Sequence, residues 1–244
     1  MQDIMKSAKS LKSELIEIRR ALHRHPEVGR SLPWTKNFII KKLKEYGYDP
    51  REMGESGVVA TVQGGEKGKA ILLRADMDGL AIKEKAPVPF AAQGGTMHAC
   101  GHDMHTAMLL GAAKLLRQYQ SHIDGTIKLA FQPDEEGVTG AKEMIEAGIL
   151  ENPHIDAGMA LHVHSGAPSG TVICGVGTCL SGCTLFRIRV KGKGCHGALP
   201  ETGVDPINIA AHIYLALQAI NAREVSPQTP VVLTMGKFSG GEAP

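Results

Sequence analysis

Apolar residues recur at helical spacing in several parts of the chain and form short continuous runs in others. The helical spacing predicts an amphipathic N-terminal helix ending near Arg24, and further helices over residues 35–46, 103–119, 141–147 and 206–222. Pro26 cannot continue the first helix, whereas Asp205 and Pro206 suit an N-cap and a first helical position. The apolar runs predict strands at residues 58–62, 70–73, 127–131, 157–163, 171–176, 183–190 and 231–235.

The order of these elements predicts an α/β fold in two domains. Alternating strands and helices favour a mixed, mostly parallel sheet flanked by helices, which we place in residues 1–181. The pattern changes after Ser181, where CTLFRIRV alternates like a half-exposed strand and a helix and a strand follow. Residues 182–244 are therefore expected to form a smaller, partial α+β domain with the order β-α-β.

Composition and charge exclude several classes of protein. Hydrophobic residues make up 43% and charged residues 21% of the chain, as in globular proteins rather than disordered ones. A net charge of +2 and 4% aromatic residues give no basis for a nucleic-acid partner. The N-terminus lacks a secretory signal and no apolar run reaches the ~18 residues of a membrane span, so we expect a cytoplasmic protein without a membrane partner. The odd number of cysteines, 5, favours free thiols or metal ligands over disulfides.

Acidic and imidazole side chains follow three of the predicted strands. The segments are RADMD (74–78), QPDEEG (132–137) and HVH (162–164). In open α/β sheets, ligands bind in the crevice beyond the carboxyl ends of the strands. We therefore expect these segments to contribute to one site.

A fourth segment, HACGHDMH (98–105), adds a thiol and further imidazoles. Cys100 and His102 are two positions apart, so on an extended segment they would project to the same side. Thiolate, imidazole and carboxylate together favour Zn or a similar transition ion. Glu135 and Glu136 would repel each other in a dry crevice, which two divalent cations would relieve, with one carboxylate binding metal and the other facing a water.

Other interpretations of these residues stay open. Cys100 and His102 could form a nucleophilic pair, although no sharp strand-to-helix turn is predicted at Cys100 and such a pair would not need the two glutamates. Single buried histidines and glutamates are usually structural. We expect His23 and His25 to have a structural or dipole-facing role at a helix end, and three further histidines to orient ligands: His98, His105 and His164. Three cysteines are expected to be small buried residues: Cys174, Cys179 and Cys183.

Six strings occur in order along the chain: LHRHPE, LLRADMDGLAI, MHACGHDMHTAMLLGAAKLL, FQPDEEGVTGAKEMIEAG, ALHVHSGAPSG and GKGCHGALPETGVDP. In these strings the chain resembles the amidohydrolase branch of the aminoacylase/carboxypeptidase G metallopeptidase family. That branch includes hippurate hydrolase, N-acyl-L-amino acid amidohydrolases and plant auxin-conjugate hydrolases. The resemblance implies a metal-dependent enzyme that hydrolyses an N-acyl amino acid, a small-molecule substrate, to a carboxylate and an amino acid.

The resemblance also implies a site with two divalent metal ions, Zn or Mn ahead of Co or Ni. Its ligands would be Cys100, His102, Glu136 and His162. Glu135 would be the general base, and His196 would reach a neighbouring active site and steady the oxyanion. Asp76 stands where other branches carry a metal-binding histidine and would support the site with Asp78. The smaller domain would mediate homodimerisation as a dimerisation or lid domain.

One departure from the family pattern concerns the C-terminus. In the family, the inserted small domain continues and the chain then returns to supply a last histidine ligand, whereas this sequence ends about halfway through the insertion, at Pro244. We therefore expect the 244-residue chain to be a poor enzyme. The alternative function is that of a truncated, non-catalytic metal-binding or dimerising fragment.

Overall fold

A computed structural model describes residues 2–178 and 182–241 of the chain. They divide into two compact units, Met1–Thr171 and Val172–Pro244. Within the described residues, no helix combines the length and apolar character that crossing a bilayer requires.

The first unit is built on a five-stranded sheet with the strand order β1-β2-β4-β3-β5. Its β4 strand pairs in parallel with β3, and β3 with β5, whereas β1–β2 and β2–β4 are antiparallel. The predicted mixed sheet is confirmed, but antiparallel pairs are as frequent as parallel ones in its described part. The strands are β1 (Arg51–Met53), β2 (Gly57–Gln63), β3 (Gly65–Asp76), β4 (Asp124–Gln132) and β5 (Ala157–Ala160).

Helices cover both faces of this sheet. Successive side chains of a strand point to opposite faces, and buried side chains occur on both. Val58 of β2 and Phe131 of β4 belong to the main core, with residues of α2, α3 and α4. The intervening residues, Val59 and Ala130, pack with Met144 of α5 in a smaller cluster. The helices of this unit are α1 (Gln2–Ser10), α2 (Lys12–Arg24), α3 (Pro33–Glu45), α4 (His102–Gln118) and α5 (Gly140–Glu146).

The predicted helices of this unit are confirmed, with one difference. The single N-terminal helix expected up to Arg24 is divided at Leu11 into α1 and α2. Leu22 in α2 is 1% exposed. The apolar residues that predicted an amphipathic N-terminal helix therefore lie mainly on the buried face of α2.

The parallel pairing brings the carboxyl ends of three strands to one edge. Asp76 at the end of β3 lies opposite Gln132 at the end of β4. Arg74 of β3 lies opposite Ala160, the last residue of β5. The segments that follow these strands, RADMD, QPDEEG and HVH, therefore start from the same edge of the sheet, as predicted.

The second unit contains a 3-10 turn (Pro200–Thr202) and helix α6 (Pro206–Arg223). Asp205 caps α6 as predicted, because its Oδ1 accepts the N–H groups of Ile207 and Asn208 at 2.8 and 3.1 Å. The strands expected at 183–190 and 231–235 are wrong for this structure, and so is the one at 171–176. A strand needs a hydrogen-bonded neighbour, and in the described part of this unit the only bridge joins Lys193 to Val204.

Candidate metal centre

His102 occupies the centre of a cluster of potential metal ligands in the first unit. It is the first residue of α4, is 1% exposed and belongs to each of three groups of closely spaced donors. One group adds Cys100 and His162, and another adds Glu135 and Glu136. The third group adds Asp76 and His105. The structure therefore brings together five of the six site residues predicted from the sequence.

A hydrogen bond from Nδ1 fixes the orientation of the His102 ring. Its Nδ1–H donates to Asp78 Oδ1 at 3.2 Å, which leaves Nε2 as the free ring atom. Nε2 is buried and has no hydrogen-bond partner among the described residues. Asp78 Oδ2 also accepts the backbone N–H of Glu136 at 3.2 Å, so one carboxylate positions His102 and the glutamate segment together.

Three carboxylates surround His102 Nε2 at distances too long for hydrogen bonds. The oxygens belong to Asp76 at 3.7 Å, Glu135 at 3.9 Å and Glu136 at 4.0 Å. Two ligand atoms that bind one ion at about 2.0–2.2 Å lie roughly 3–4 Å from each other. The unpartnered nitrogen and the spacing of these oxygens therefore fit a divalent cation.

Cys100 and His162 form the second side of this cluster. Cys100 Sγ lies 3.5 Å from His162 Nε2, and His162 Nδ1 donates to the carbonyl of Val163 at 2.6 Å. Burial, followed by the negative charge of Glu136, raises the pKa of the Cys100 thiol to about 11. Without a cation the thiol therefore stays protonated, and a bound metal ion would favour the thiolate.

The same carboxylates affect the charge of His102. Burial alone would lower the pKa of His102, but its hydrogen bond with Asp78 and the negative charge of Asp76 raise it above its usual value. The site is thus rich in negative charge, and a divalent cation would compensate that charge.

Gly101 sets the geometry between the two candidate ligands Cys100 and His102. It adopts a left-handed conformation with φ +85°, and a Cβ at this position would collide with Val163. Gly101 turns the chain into α4 immediately after Cys100, so the two residues lie at the end of a loop and the start of a helix rather than on an extended segment. Both side chains still reach the same donor group.

Asp76 and His105 link the end of β3 to the segment that follows β5. Asp76 accepts hydrogen bonds from His105 Nδ1 at 2.6 Å and from Arg74 at 2.8 Å. His105 Nε2 accepts the backbone N–H of Val163 at 2.9 Å, so its ring connects β3 to the segment that carries His162. Burial would raise the pKa of Asp76, but the hydrogen bond from His105 and the charge of Arg74 lower it. Sequence reasoning missed Arg74, although a spacing of two residues places it on the same face of β3 as Asp76.

Several other predicted residues lie outside this cluster. His196 belongs to the second unit, is exposed, and its Nδ1 accepts the N–H of Ala198 at 3.1 Å. His164 is exposed, and its Nδ1 accepts the N–H of Gly166. Cys174 and Cys183 are exposed rather than buried as expected, because the segments that carry them form no sheet. Cys179 lies outside the described residues.

Comparisons with known proteins identify sequences and structures similar to this chain. The sequence model of Peptidase family M20/M25/M40 matches residues 72–242. The N-acetyl-L-cysteine deacetylase of Bacillus subtilis is 45% identical over 234 residues, which cover 95% of this chain and 56% of the deacetylase. The chain spans about half the length of the curated relatives it matches.

Two solved structures are similar to this chain. One, described as an aminohydrolase from methicillin-resistant Staphylococcus aureus, aligns with a TM-score of 0.80 and 33% identity, covering 100% of this chain and 65% of the other. The YXEP protein of Bacillus subtilis, a dinuclear metal-binding peptidase, aligns with a TM-score of 0.59 and 41% identity, covering 62% of this chain and 44% of that protein.

Proposed function

We propose that this chain acts in the metal-dependent hydrolysis of N-acyl amino acids, because it belongs to Peptidase family M20/M25/M40. The observation that carries the proposal is the buried, unpartnered Nε2 of His102 with three carboxylates 3.7–4.0 Å away. The similarity to an N-acetyl-L-cysteine deacetylase supports an amide substrate of this kind.

In this proposal Cys100, His102, Glu136 and His162 hold two divalent ions, Zn or Mn ahead of Co or Ni. The ions would polarise the amide carbonyl and lower the pKa of a bound water. The place of Glu136 in the same donor group as His102 and Glu135 supports its role as a ligand. The similarity to a dinuclear metal-binding peptidase supports two ions rather than one.

Glu135 is the general base of the proposed reaction. It takes a proton from the attacking water and passes it to the nitrogen of the leaving amino acid. Its side chain is 42% exposed, which supports access to substrate and water. His196 would stabilise the oxyanion in a neighbouring subunit. Residues 182–244 would act in homodimerisation, and the protein would be located in the cytoplasm.

Metal content and turnover, measured together, test this proposal. The purified chain is depleted of metal, incubated with Zn²⁺ or Mn²⁺, dialysed and assayed with hippurate and several N-acetyl amino acids. We expect Cys100→Ala to lower bound metal markedly, because alanine offers no ligand atom, and the exposed control Cys174→Ala to retain it. Equal metal content in the two variants would remove Cys100 from the ligand set.

Turnover separates this function from its alternative. Hydrolysis at ordinary rates, on the order of 1–10³ s⁻¹, would establish an amidohydrolase. Bound metal without hydrolysis of any of these substrates would instead support the non-catalytic, metal-binding fragment.

A further inference from the structure

The string LHRHPE contains a buried histidine that the proposed reaction does not use. His23, near the end of α2, is 4% exposed and lies between two carboxylates. Its Nδ1 is 2.7 Å from Asp103 Oδ2, and its Nε2 is 2.9 Å from Glu84 Oε1. Each ring nitrogen of His23 is therefore within hydrogen-bonding distance of its own carboxylate.

The two carboxylates belong to the two chain segments that meet at the candidate ligands. Asp103 follows His102 in the first turn of α4, whereas Glu84 lies in the long connecting loop (residues 77–101) that leads from β3 to Cys100. His23 is therefore hydrogen-bonded to one residue that precedes the turn with both candidate ligands, Glu84, and to one residue that follows it, Asp103.

Neighbouring groups complete this buried connection. Arg19, one turn earlier on α2, lies 2.7 Å from the same Asp103 oxygen, and its Nη2 lies 3.3 Å from His23 Nδ1. Glu84 also accepts the backbone N–H of Ala92, which fixes a second part of the connecting loop. The ring of Phe90 covers His23 edge-on at 5.5 Å. Helix α2 is thus connected to both the loop and α4 through a shielded set of charges.

This loop has little regular backbone pairing. Among the described residues, its regular backbone pairing consists of the single bridges Val28–Gly79 and Leu80–Met97. A loop of this length without strands or helices has many alternative conformations that folding must exclude. The hydrogen bond from His23 to Glu84 fixes the loop between the two bridged positions.

We propose that His23 is a positioning residue for the turn Cys100-Gly101-His102, and that this turn binds metal tightly only while His23 bridges Glu84 and Asp103. This inference rests on the proposed metal-binding function. His23 does not touch the ion, and it acts through the two segments that carry the ligands. Replacing groups that orient metal ligands typically weakens metal affinity 10–100-fold.

The test compares His23→Gln with His25→Gln. Glutamine is close in size to histidine, but its single terminal amide cannot contact carboxylates on both sides of the imidazole site. His25 is a matched control from the same string, since its ring stacks on Trp34 at 4.0 Å and hydrogen-bonds to Ala21 of its own helix. Both variants and the wild type are titrated with Co²⁺, following the thiolate-to-cobalt absorption band expected from Cys100. We expect affinity to fall about 10-fold or more for His23→Gln only.

Hydrogen exchange over residues 98–106 of the metal-free proteins provides a second measurement. We expect faster exchange in His23→Gln than in the wild type or His25→Gln. If His23→Gln fails to fold, Glu84→Gln tests the positioning role instead, because it weakens only the connection between His23 and the loop. We expect Glu84→Gln to lower Co²⁺ affinity by a smaller factor than His23→Gln.

The outcomes distinguish this inference from the proposed function. Unchanged Co²⁺ affinity and exchange in His23→Gln, with normal binding by the wild type, would overturn the positioning role alone. Absence of Co²⁺ binding by the wild type would overturn the proposed function, and exchange would then decide whether His23 positions the turn.

Discussion

At the scale of single residues, the candidate centre depends on which atom of each side chain is already occupied. Asp78 holds Nδ1 of His102, and Asp76 holds Nδ1 of His105. Nε2 of His105 is used by Val163, whereas Nε2 of His102 is free among the described residues. Two histidines of one helix turn therefore have different chemistry, and His102 is the one available to a metal ion.

The neighbouring glutamates should respond differently to the same substitution. Glu136→Gln is expected to lower bound metal, because a neutral amide is a poor ligand. Glu135→Gln, tested in a complete family-length version of the enzyme, is expected to keep metal and to lower turnover of an N-acetyl amino acid by at least ~10²-fold, as for loss of a general base. Metal content after dialysis and initial rates measure the two effects. Their distances to His102 Nε2 are nearly equal, 3.9 and 4.0 Å, so the reverse result would exchange the two roles.

At the scale of secondary-structure elements, the start of α4 is the critical position. Gly101 is left-handed and packs against Val163, so Gly101→Ala introduces both a strained backbone and a steric collision. We expect this variant to lose at least ~1 kcal/mol of unfolding free energy in urea and to bind metal less tightly. Gly95→Ala is the control, because nothing lies within 4 Å of a Cβ there and its φ is not positive.

A loss below ~0.5 kcal/mol in Gly101→Ala, similar to the change expected in the control, would contradict this assignment. It would mean that the segment holding Val163 can move away without cost.

The sequence predicted elements well where the core decides them. The apolar runs of β2 and β4 are buried on both faces, and α2, α3 and α4 carry continuous apolar stripes. It failed at residues 183–190, because alternation describes a side-chain pattern but does not supply a hydrogen-bonded neighbour. It also missed β1, whose three residues are too few to show a pattern.

The site residues, like the elements, could be predicted where a pattern in the sequence marks their position. Cys100, His102, Glu135, Glu136 and His162 could be found because they follow strand ends or start a helix. The role of His23 could not be found, because its partners Glu84 and Asp103 are far away in sequence and no periodic pattern relates them. Its position at the end of α2 indicated only a structural or dipole-facing role.

At the scale of the whole molecule, one buried histidine couples stability to pH. His98 is 4% exposed, and burial lowers its pKa to about 4 from a usual value near 6.5. The unfolded chain therefore binds a proton at a higher pH than the folded chain, so unfolding becomes easier as the pH falls from 6.5 towards 4. Over that range the contribution of His98 amounts to roughly 3 kcal/mol.

We expect His98→Gln to reduce the pH dependence of the unfolding free energy between pH 6.5 and 4. The exposed control His122→Gln should leave it unchanged. Urea titrations at several pH values in this range measure the effect. An unaltered slope in His98→Gln would mean that His98 is not the group responsible.

The parallel pairing of β3 with β4 and β5 has a consequence for how metal and fold depend on each other. The candidate donors come from strand ends and a helix start that are far apart in sequence, so they converge only after these strands have paired. An unfolded chain offers an ion no comparable cluster, and mass action then makes binding add to stability. At an ion concentration of one hundred times the dissociation constant, this adds about 2.7 kcal/mol. Chelation would therefore remove part of the thermodynamic stability of the first unit, and cellular metal supply would influence how long the protein persists.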